Sequence, residues 1–282
     1  MTAAGELLLA WDPERDLLTR PDPGADALPL PAAPTPPPLL AADSWLVQDG
    51  LTRGLALHRE RFAAACLEAG PTPGAVARFW RAAVAELPRT GAWFPRVELG
   101  PAQALGLRLR PAPPRGQEVR VLPWTPGDPR SAPQRKGPDL PLLAELKAAA
   151  QARGADDALL STAGGQLIES TTASLLWWEG DVLLRPESPG QLPGVTAELI
   201  SYQARSLGIA VLRRPVTLAG LAGREVWLVN ALHGIRPVTR WVGTRHQAGR
   251  PERAPHWRRM LAGLREDLGP HPAGAGFDRA RG

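Results

Sequence analysis

The first half of the chain shows two kinds of hydrophobic spacing. Apolar residues recur every three to four positions over residues 72–86, which is the spacing of one helical face. They are Val76, Phe79, Trp80, Ala83 and Val84. Earlier, two β-rich runs flank Asp49-Gly50, a dipeptide suited to a type I′ hairpin turn, and a helix begins near His58. This half therefore predicts a small α/β unit.

The second half alternates strand-like and helix-like segments. Asp139 is a suitable N-cap for a helix that runs to about Arg153, and Gly154 suits the left-handed position that ends it. The other predicted elements are strands at 157–162, 166–170, 174–178, 181–185, 209–213 and 225–229 and helices at 196–207 and 256–267. Strands and helices mixed with antiparallel hairpins indicate an α+β or mixed α/β fold.

Two proline-dense segments divide the chain. Residues 21–38 hold too many prolines for a helix or a central strand, and residues 111–138 are dense in Pro and Gly around one short strand-like run. A chain of 282 residues that is 44% hydrophobic can bury two modest cores. We expect a Pro-rich amino-terminal extension, a small α/β domain, an interdomain linker and a large α/β domain, over residues 1–40, 41–118, 119–138 and 139–282.

Charge and cysteine content narrow the class of protein. The net charge is +5, but the arginines are scattered rather than gathered into a stripe, so we expect no nucleic-acid partner. No run reaches the roughly 18 apolar residues that span a bilayer, and the first twenty residues contain several carboxylates. The single Cys66 cannot form an internal disulfide. We expect a soluble cytoplasmic protein without a signal peptide.

Lys136 is a candidate for covalent chemistry. The chain has only two lysines, Lys136 and Lys147, in contrast to its many arginines. Arginine cannot form a Schiff base and stays protonated, whereas a partly desolvated lysine can lose its proton and form one. On composition alone, the alternative is an exposed loop lysine without a chemical role.

Glu169 lies in the run QLIEST, between Ile168 and a polar segment, in a strand that the pattern places in the interior. A carboxylate is seldom buried without a partner. A pyridinium nitrogen would be such a partner, because the carboxylate keeps that nitrogen protonated. The alternative is an edge strand with Glu169 in solvent.

The turn Leu192-Pro193-Gly194-Val195-Thr196 opens a predicted helix. The first amides of a helix are unpaired and lie at the positive end of its dipole, where phosphate groups bind. Thr196 can add a hydroxyl. The alternative is a plain strand-to-helix turn with Thr196 as the N-cap.

The order of these three features carries a resemblance. The segment from Lys136 to the helix after Thr196 resembles the core of class IV aminotransferases, the fold type IV enzymes that use pyridoxal 5′-phosphate (PLP). The family order is a Schiff-base lysine, a strand glutamate and a Leu-Pro-Gly-Ile/Val-Thr phosphate loop. The resemblance covers roughly residues 40 to 245. It implies that Lys136 carries the cofactor, that Glu169 faces its pyridine nitrogen, and that Val195 and Thr196 hold its phosphate.

Two further motifs extend the resemblance. The run HRERF is similar to the family's His-x-x-Arg-Leu, which makes Arg61 the arginine that reaches the phosphate. The run VWLVNALHGIRPV is similar to the Asn-Ala-Leu segment that closes over the phosphate, which adds Asn230 and Ala231. Aminotransferase members of the family have Thr in place of Ala231.

Some positions depart from the family pattern. The strand before the Asp49-Gly50 turn usually reads Phe-Glu-Thr-hydrophobic-Arg in the family, whereas residues 42–46 of this chain read ADSWL. Ser44 falls where lyase-like members have Thr beside the reacting group, so it becomes the candidate substrate residue. Leu46 replaces the usual arginine of the same strand, and Ser174 replaces an asparagine. No Tyr follows Lys136, unlike in branched-chain transaminases.

The resemblance implies two α/β domains with PLP in the cleft between them, a small-molecule amino substrate, a homodimer and no metal. It favours 4-amino-4-deoxychorismate lyase, which forms 4-aminobenzoate and pyruvate in folate biosynthesis. The alternative is a class IV aminotransferase acting on branched-chain or D-amino acids. A protein that keeps the fold without catalysis is a third hypothesis, which the presence of Lys136 disfavours.

Overall fold

The chain folds into short strands and five α-helices, and the computed structural model describes residues 5–20 and 39–269. The strands are β1 (Leu7–Asp12), β2 (Leu17–Thr19), β3 (Ala41–Ser44), β4 (Val47–Gln48), β5 (Leu51–Thr52), β6 (Ala92–Trp93), β7 (Arg96–Leu99), β8 (Leu105–Leu109), β9 (Val119–Pro123), β10 (Asp157–Ser161), β11 (Leu167–Ser170), β12 (Ser174–Glu179), β13 (Val182–Pro186), β14 (Val211–Arg214), β15 (Val226–Asn230), β16 (Gly234–Trp241) and β17 (Glu266–Asp267). The helices are α1 (Leu55–Glu68), α2 (Pro73–Ala85), α3 (Leu140–Gln151), α4 (Val195–Ser206) and α5 (Ala254–Gly263), with 3₁₀ turns at Pro101–Gln103 and Ala219–Leu221.

The first compact unit contains, of the described residues, 5–20, 39–113 and 265–269. An antiparallel sheet in the order β2-β1-β8-β7-β3 is covered by α1 and α2. The side chains of Phe62, Phe79 and Trp80 pack together on the helices, with ring centroids 6.0 to 6.2 Å apart. The helical face predicted over 72–86 is therefore confirmed.

The hairpin predicted at Asp49-Gly50 is confirmed. These two residues link β4 to β5, and both have positive φ angles, 51° and 75°, as a type I′ turn requires. The hairpin belongs to a second small sheet in the order β17-β5-β4-β6. The predicted final helix over 256–267 ends earlier, because α5 stops at Gly263 and β17 pairs with β5.

The second compact unit contains residues 114–264 and an eight-stranded sheet in the order β11-β10-β9-β16-β15-β12-β13-β14. An additional pairing joins β11 to β12, with Glu169 opposite Ser174. That pairing closes β9, β10, β11, β12, β15 and β16 into a ring. Glu169 therefore lies where the ring closes.

The two larger hydrophobic clusters of this unit form separate cores. One contains residues of the ring strands, among them Val121, Leu159, Leu175, Trp177 and Leu228. The other lies where α4 and α5 pack on the sheet, and there Trp178, Trp227 and Trp257 meet with ring centroids 5.5 to 5.9 Å apart. Tryptophan rings of this kind bury a large apolar area. Trp177, Trp178 and Trp227, which lie on predicted strands, are therefore core residues.

The structure differs from the sequence-based domain boundaries in several places. Residues 265–269, expected in the large domain, belong to the first unit. Residues 7–12 form β1, which pairs with β8, although residues 1–40 were expected to be an extension. Residues 119–123, expected in the linker, form β9 between β10 and β16. The proline-rich connector predicted over 21–38 lies outside the described residues. None of the described helices is both long and apolar enough to cross a membrane.

Candidate functional site

Glu169 is buried on β11, with 4% of the residue exposed. Its Oε1 accepts hydrogen bonds from Arg130 Nη1 at 2.6 Å and from the backbone N–H of Leu192 at 2.9 Å. Burial raises the pKa of Glu169 to about 7, and the neighbouring Arg130 opposes this rise only in part. The solvent-exposed alternative for Glu169 is therefore wrong.

Arg130 joins three segments of the second unit, and the sequence analysis did not select it. Besides Glu169, its guanidinium donates to the carbonyl of Gly190 at 2.7 Å and to that of Pro133 at 3.4 Å. Asp128 accepts from its Nε and Nη2 at 2.7 to 3.2 Å. Arg130 thus connects the loop that bears Lys136, the strand that bears Glu169 and the turn before α4.

Lys136 is half-buried in the loop between β9 and α3. The Gln134 side chain of the same loop donates to the carbonyl of Pro189 at 2.6 Å. Asp139 stands at the N-cap position predicted for α3, but its side chain does not cap the helix. It instead accepts hydrogen bonds from Ser131 and Ala132 at 2.8 to 2.9 Å. Hydrogen bonds therefore hold the loop together at the start of α3 and fix it to the turn that precedes α4.

The predicted phosphate turn leads into α4, where Val195 and Thr196 are the first two residues and both are buried. Gly194 occupies the N-cap position without a side-chain cap, so the plain Thr196 N-cap is wrong. A Cβ atom on Gly194 would collide with Ser174 Oγ on β12. Ser174 stands where the family pattern has asparagine, and its small side chain suits this close approach.

Asn230 ends β15, and Ala231 begins the turn to β16. The Asn230 side chain donates to the carbonyl of Thr172 at 3.1 Å and accepts from the N–H of His233 at 2.8 Å. Thr172 follows Glu169 by three residues. Asn230 thus ties its own turn to the segment after β11.

In the first unit, Arg61 lies on α1 and is held by Asp43 of β3. Asp43 accepts from Arg61 Nε and Nη2 at 2.8 Å each, and its Oδ1 lies 2.8 Å from His58 Nδ1. Asp43 is fully buried, which opposes its ionisation, but the charges of Arg61 and His58 outweigh this and hold the pKa of Asp43 well below its ordinary value. The sequence analysis missed Asp43.

Ser44 is buried on β3 and lies in a row of paired residues across three strands. It stands opposite Arg96 of β7, and Arg96 stands opposite Arg108 of β8. Residues directly opposite each other point to the same face of a sheet. Both arginines bond Glu98, at 2.6 to 2.7 Å.

Arg110, two residues after Arg108, extends this row. Its Nε donates to the carbonyl of Phe94 at 2.8 Å, and its guanidinium lies 5.0 Å from the centroid of the Phe94 ring. Burial lowers the pKa of Arg110, and the nearby charge of Arg96 lowers it further. Two positive charges close together in a partly buried setting favour an anionic ligand.

Most of the residues that sequence reasoning missed are partners rather than candidate reactive groups. Arg130 and Asp43 lie 39 and 18 positions from the residues they hold, so no local spacing reveals them. One signal was available for Asp43, because it occupies the glutamate position of the Phe-Glu-Thr strand pattern. A buried acidic residue beside the arginine motif implies a partner for that arginine.

Comparisons with known proteins identify the family of the chain. The family described as Amino-transferase class IV matches residues 41–241. No curated protein sequence matches the chain. Among solved structures, the fold IV-transaminase CpuTA1 from Curtobacterium pusillum is 20% identical with a TM-score of 0.70, covering 91% of this chain and 97% of that one.

Two further solved structures are similar. A candidate 4-amino-4-deoxychorismate lyase from Legionella pneumophila is 19% identical with a TM-score of 0.67, covering 79% of this chain and 90% of that one. A hypothetical aminotransferase from Mycobacterium tuberculosis in a PLP-bound form is 18% identical with a TM-score of 0.71, covering 91% and 98%. At such identities the likeness shows the fold type IV architecture that the sequence predicted. The family match extends over most of the chain, and members of this family use PLP. The chain belongs to the class IV aminotransferase family.

Proposed function

We propose that the protein is a PLP-dependent 4-amino-4-deoxychorismate lyase that forms 4-aminobenzoate and pyruvate. The observation that carries the PLP assignment is the buried Glu169. Both hydrogen bonds that it accepts within the described part of the chain end on Oε1. Its Oε2 would then face the pyridine nitrogen of the cofactor. The loop with Lys136 and the turn with Thr196 are tied to the same arginine-centred network.

The residues present fit PLP. Lys136 would link to it covalently, and Glu169, with a pKa raised to about 7 by burial, is matched to a pyridine nitrogen that shares its proton. The first amides of α4, at Val195 and Thr196, would hold the phosphate, because Gly194 leaves them without a side-chain cap. Arg61 would supply a positive charge that binds the phosphate, and Asn230 and Ala231 would form the turn next to it.

The residues would then share the chemistry as follows. When bound, PLP withdraws electrons from the carbon that carries the substrate's amine. Lys136 would remove the proton from that carbon as a general base. Glu169 would keep the ring nitrogen protonated, and Arg130 would keep Glu169 in position. In the lyase reaction the substrate then loses pyruvate and its ring becomes aromatic.

An aminotransferase is the second candidate. Both activities share the proton removal by Lys136, and they differ in whether the substrate loses pyruvate or exchanges its amine. The residues after Lys136, Gly137 and Pro138, favour the lyase because the tyrosine of branched-chain transaminases is missing there. The fold of the transaminase CpuTA1 supports the alternative, because its TM-score of 0.70 is similar to the 0.67 of the candidate lyase from Legionella pneumophila.

The row of arginines beside Ser44 supports an anionic substrate. Leu46 lacks the charge that other family members carry on this strand. Arg110 lies near enough to Arg96 and Arg108 for both of their charges to lower its pKa. We propose that Arg110 binds a substrate carboxylate and that Ser44 supplies a hydroxyl beside it. The three arginines face two carboxylates, Glu98 and Glu6, which leaves a surplus of one positive charge for a substrate carboxylate such as those of 4-amino-4-deoxychorismate.

Cofactor attachment can be tested with the chain's two lysines. Purified protein is incubated with PLP, its absorbance spectrum is recorded, and the complex is reduced with borohydride and mapped by mass spectrometry. We expect the adduct on Lys136, and we expect Lys136→Ala to lose it. Lys147→Ala is the matched control, since it removes the other lysine of the same unit. An adduct that persists in Lys136→Ala would refute the assignment.

The reaction itself is tested with 4-amino-4-deoxychorismate as substrate. A lyase releases pyruvate and 4-aminobenzoate in equal amounts without an added keto acid. An aminotransferase needs 2-oxoglutarate or another amino acceptor, and it forms one keto acid per amine transferred. Product formation that depends on the acceptor would replace the lyase proposal with the aminotransferase one.

We also propose a homodimer, which light scattering during size-exclusion chromatography tests.

A further inference from the structure

We propose that Asp139 is a positioning residue that holds Lys136 in place for cofactor attachment. This inference rests on the proposed function, because it assumes that Lys136 is the lysine that bonds to PLP. It starts from the unusual use of the Asp139 side chain. Aspartate at a helix N-cap normally accepts a hydrogen bond from the second or third amide of its own helix. The Asp139 carboxylate accepts none there.

The carboxylate is turned back toward the segment that precedes Lys136. Its Oδ1 accepts from the N–H of Ser131 at 2.9 Å and from Ser131 Oγ at 2.8 Å, and its Oδ2 accepts from the N–H of Ala132 at 2.9 Å. Asp139 is buried, with 7% of the residue exposed. Pro141, in the first turn of α3, has no N–H and so removes one of the donors that a capping carboxylate would use.

These hydrogen bonds close the loop around Lys136. Ser131 and Ala132 precede the lysine, Asp139 follows it, and the carboxylate joins the two ends of the segment. Inside the loop, the N–H of Arg135 bonds to the carbonyl of Ala132 at 2.9 Å. The backbone on both sides of Lys136 is therefore fixed by one buried side chain.

Further hydrogen bonds hold the same loop against the rest of the proposed cofactor site. Gln134 bonds to Pro189, and Arg130, next to Ser131, bonds to Glu169 and Gly190. The lysine side chain has many rotamers, so a fixed Cα position is what limits where its amine can reach. Reactive groups must be held to within about half an ångström by surrounding hydrogen bonds. Asp139 supplies this restraint from the carboxyl side of the loop.

Asp139→Asn tests the proposal with little change in size. An amide presents one NH2 group, which would face the backbone N–H of either Ser131 or Ala132, and both of these groups are donors. At least one hydrogen bond is lost and two donors are brought together, which loosens the loop around Lys136. We expect roughly tenfold slower covalent capture of PLP by Lys136, which is the rate change that 1.4 kcal/mol produces. We also expect a shift in the pH at which the absorbance of bound PLP changes.

Asp156→Asn is the matched control. Asp156 lies in the same unit and likewise accepts three hydrogen bonds, all from Arg120, at 2.8 to 3.2 Å. It should leave both the capture rate and the pH profile unchanged. Ser131→Ala removes only the hydroxyl bond and should give a smaller change than Asp139→Asn. It also provides the decisive variant if Asp139→Asn does not fold, as judged by circular dichroism.

The outcomes separate the two proposals. If wild-type protein gives no reducible adduct on Lys136, the proposed function and this inference both fail. If wild type forms the adduct and Asp139→Asn captures PLP at the same rate and with the same pH profile, only the role of Asp139 fails. Equal changes in Asp156→Asn would also overturn it, because a general loss of stability would then explain the effect.

Discussion

Arg130 Nη1 donates a hydrogen bond of 2.6 Å to Glu169 Oε1, and both side chains are about 95% buried. The two charges are withdrawn from water together, so each depends on the other. Glu169 still has a raised pKa because burial outweighs the attraction of one guanidinium. A carboxylate balanced in this way can share a proton with a ring nitrogen, which a fully stabilised ion pair would resist.

Arg130→Gln should destabilise the protein and weaken PLP binding. Removing one partner of a buried ion pair costs about 3 to 5 kcal/mol, because the other charge stays buried. Urea unfolding and equilibrium titration with PLP would measure the two effects. Arg120→Gln is the control, since it breaks the half-exposed pair with Asp156 and should cost much less than Arg130→Gln. Equal stability of the two variants would contradict the importance of the Arg130–Glu169 pair.

Glu169 should make the stability of the cofactor-free protein fall as the pH rises. Its folded pKa of about 7 lies above the ordinary value of 4.5, so the folded state binds the proton more tightly than the unfolded state does. The associated stability is complete below pH 4.5 and is lost as the pH rises through 7. Urea unfolding at pH 4.5, 6 and 7.5 should show this loss in wild type. The loss should be smaller in Glu169→Gln, and identical pH profiles for the two proteins would refute the raised pKa.

Asp43→Asn should release Arg61 from its fixed position. The fully buried carboxylate bonds both His58 and Arg61, so its replacement exchanges the charged partner of a mostly buried guanidinium for a neutral amide and costs about 3 to 5 kcal/mol. PLP affinity should fall with it if Arg61 binds the phosphate. Asp16→Asn, which breaks the exposed pair with Arg78, is the control. Unchanged affinity for PLP in a folded Asp43→Asn protein would argue against the phosphate role of Arg61.

Gly194→Ala should destabilise the turn before α4. Its φ of −74° suits any residue, so the cost comes from the collision of the new Cβ with Ser174 Oγ, and such overpacking costs about 1 to 3 kcal/mol. Ser174→Ala removes the colliding oxygen. The double variant should therefore recover most of the stability lost in Gly194→Ala, as measured by thermal unfolding. Additive losses in the double variant would show that the collision is not the cause.

Arg110→Gln should raise KM for a substrate with two carboxylates and leave kcat closer to the wild-type value. A charge-assisted hydrogen bond contributes about 1.5 to 3 kcal/mol, which corresponds to a rise in KM of about 10- to 100-fold. Arg78→Gln changes the same charge on the exposed side of α2 and serves as the control. A KM that does not respond to Arg110→Gln would remove the carboxylate role proposed for this arginine.

Local patterns predicted those elements whose signals are local. Apolar spacing predicted the buried face of α2. The Asp49-Gly50 dipeptide predicted the turn, and both of its residues have positive φ angles. Strand β16 was missed because it contains Pro237, which lies opposite Trp227 inside the sheet. Proline is rarely found in a central strand because it cannot donate to the ladder.

Side-chain partners were much harder to predict than positions. Asp139 was expected at the helix start and stands there, but its carboxylate bonds the preceding loop because the tertiary structure brings Ser131 within reach. Arg130 had no local signal at all, since Glu169 lies on a strand far along the chain. The resemblance to the family therefore selected the lysine, the glutamate and the turn as site residues. The hydrogen-bond network around them depends on long-range folding, which local sequence does not reveal.

The closed ring of the second unit has a consequence for the order of assembly. Its strand β9 pairs with β16, which lies more than a hundred residues later in the chain. Such non-local pairing forms slowly, because the entropy of a long loop is lost before any stabilising contact forms. A nascent chain that already displays Lys136 and Glu169 still lacks the strand that completes the ring. Tight retention of PLP should therefore begin only after β16 has left the ribosome and joined the sheet.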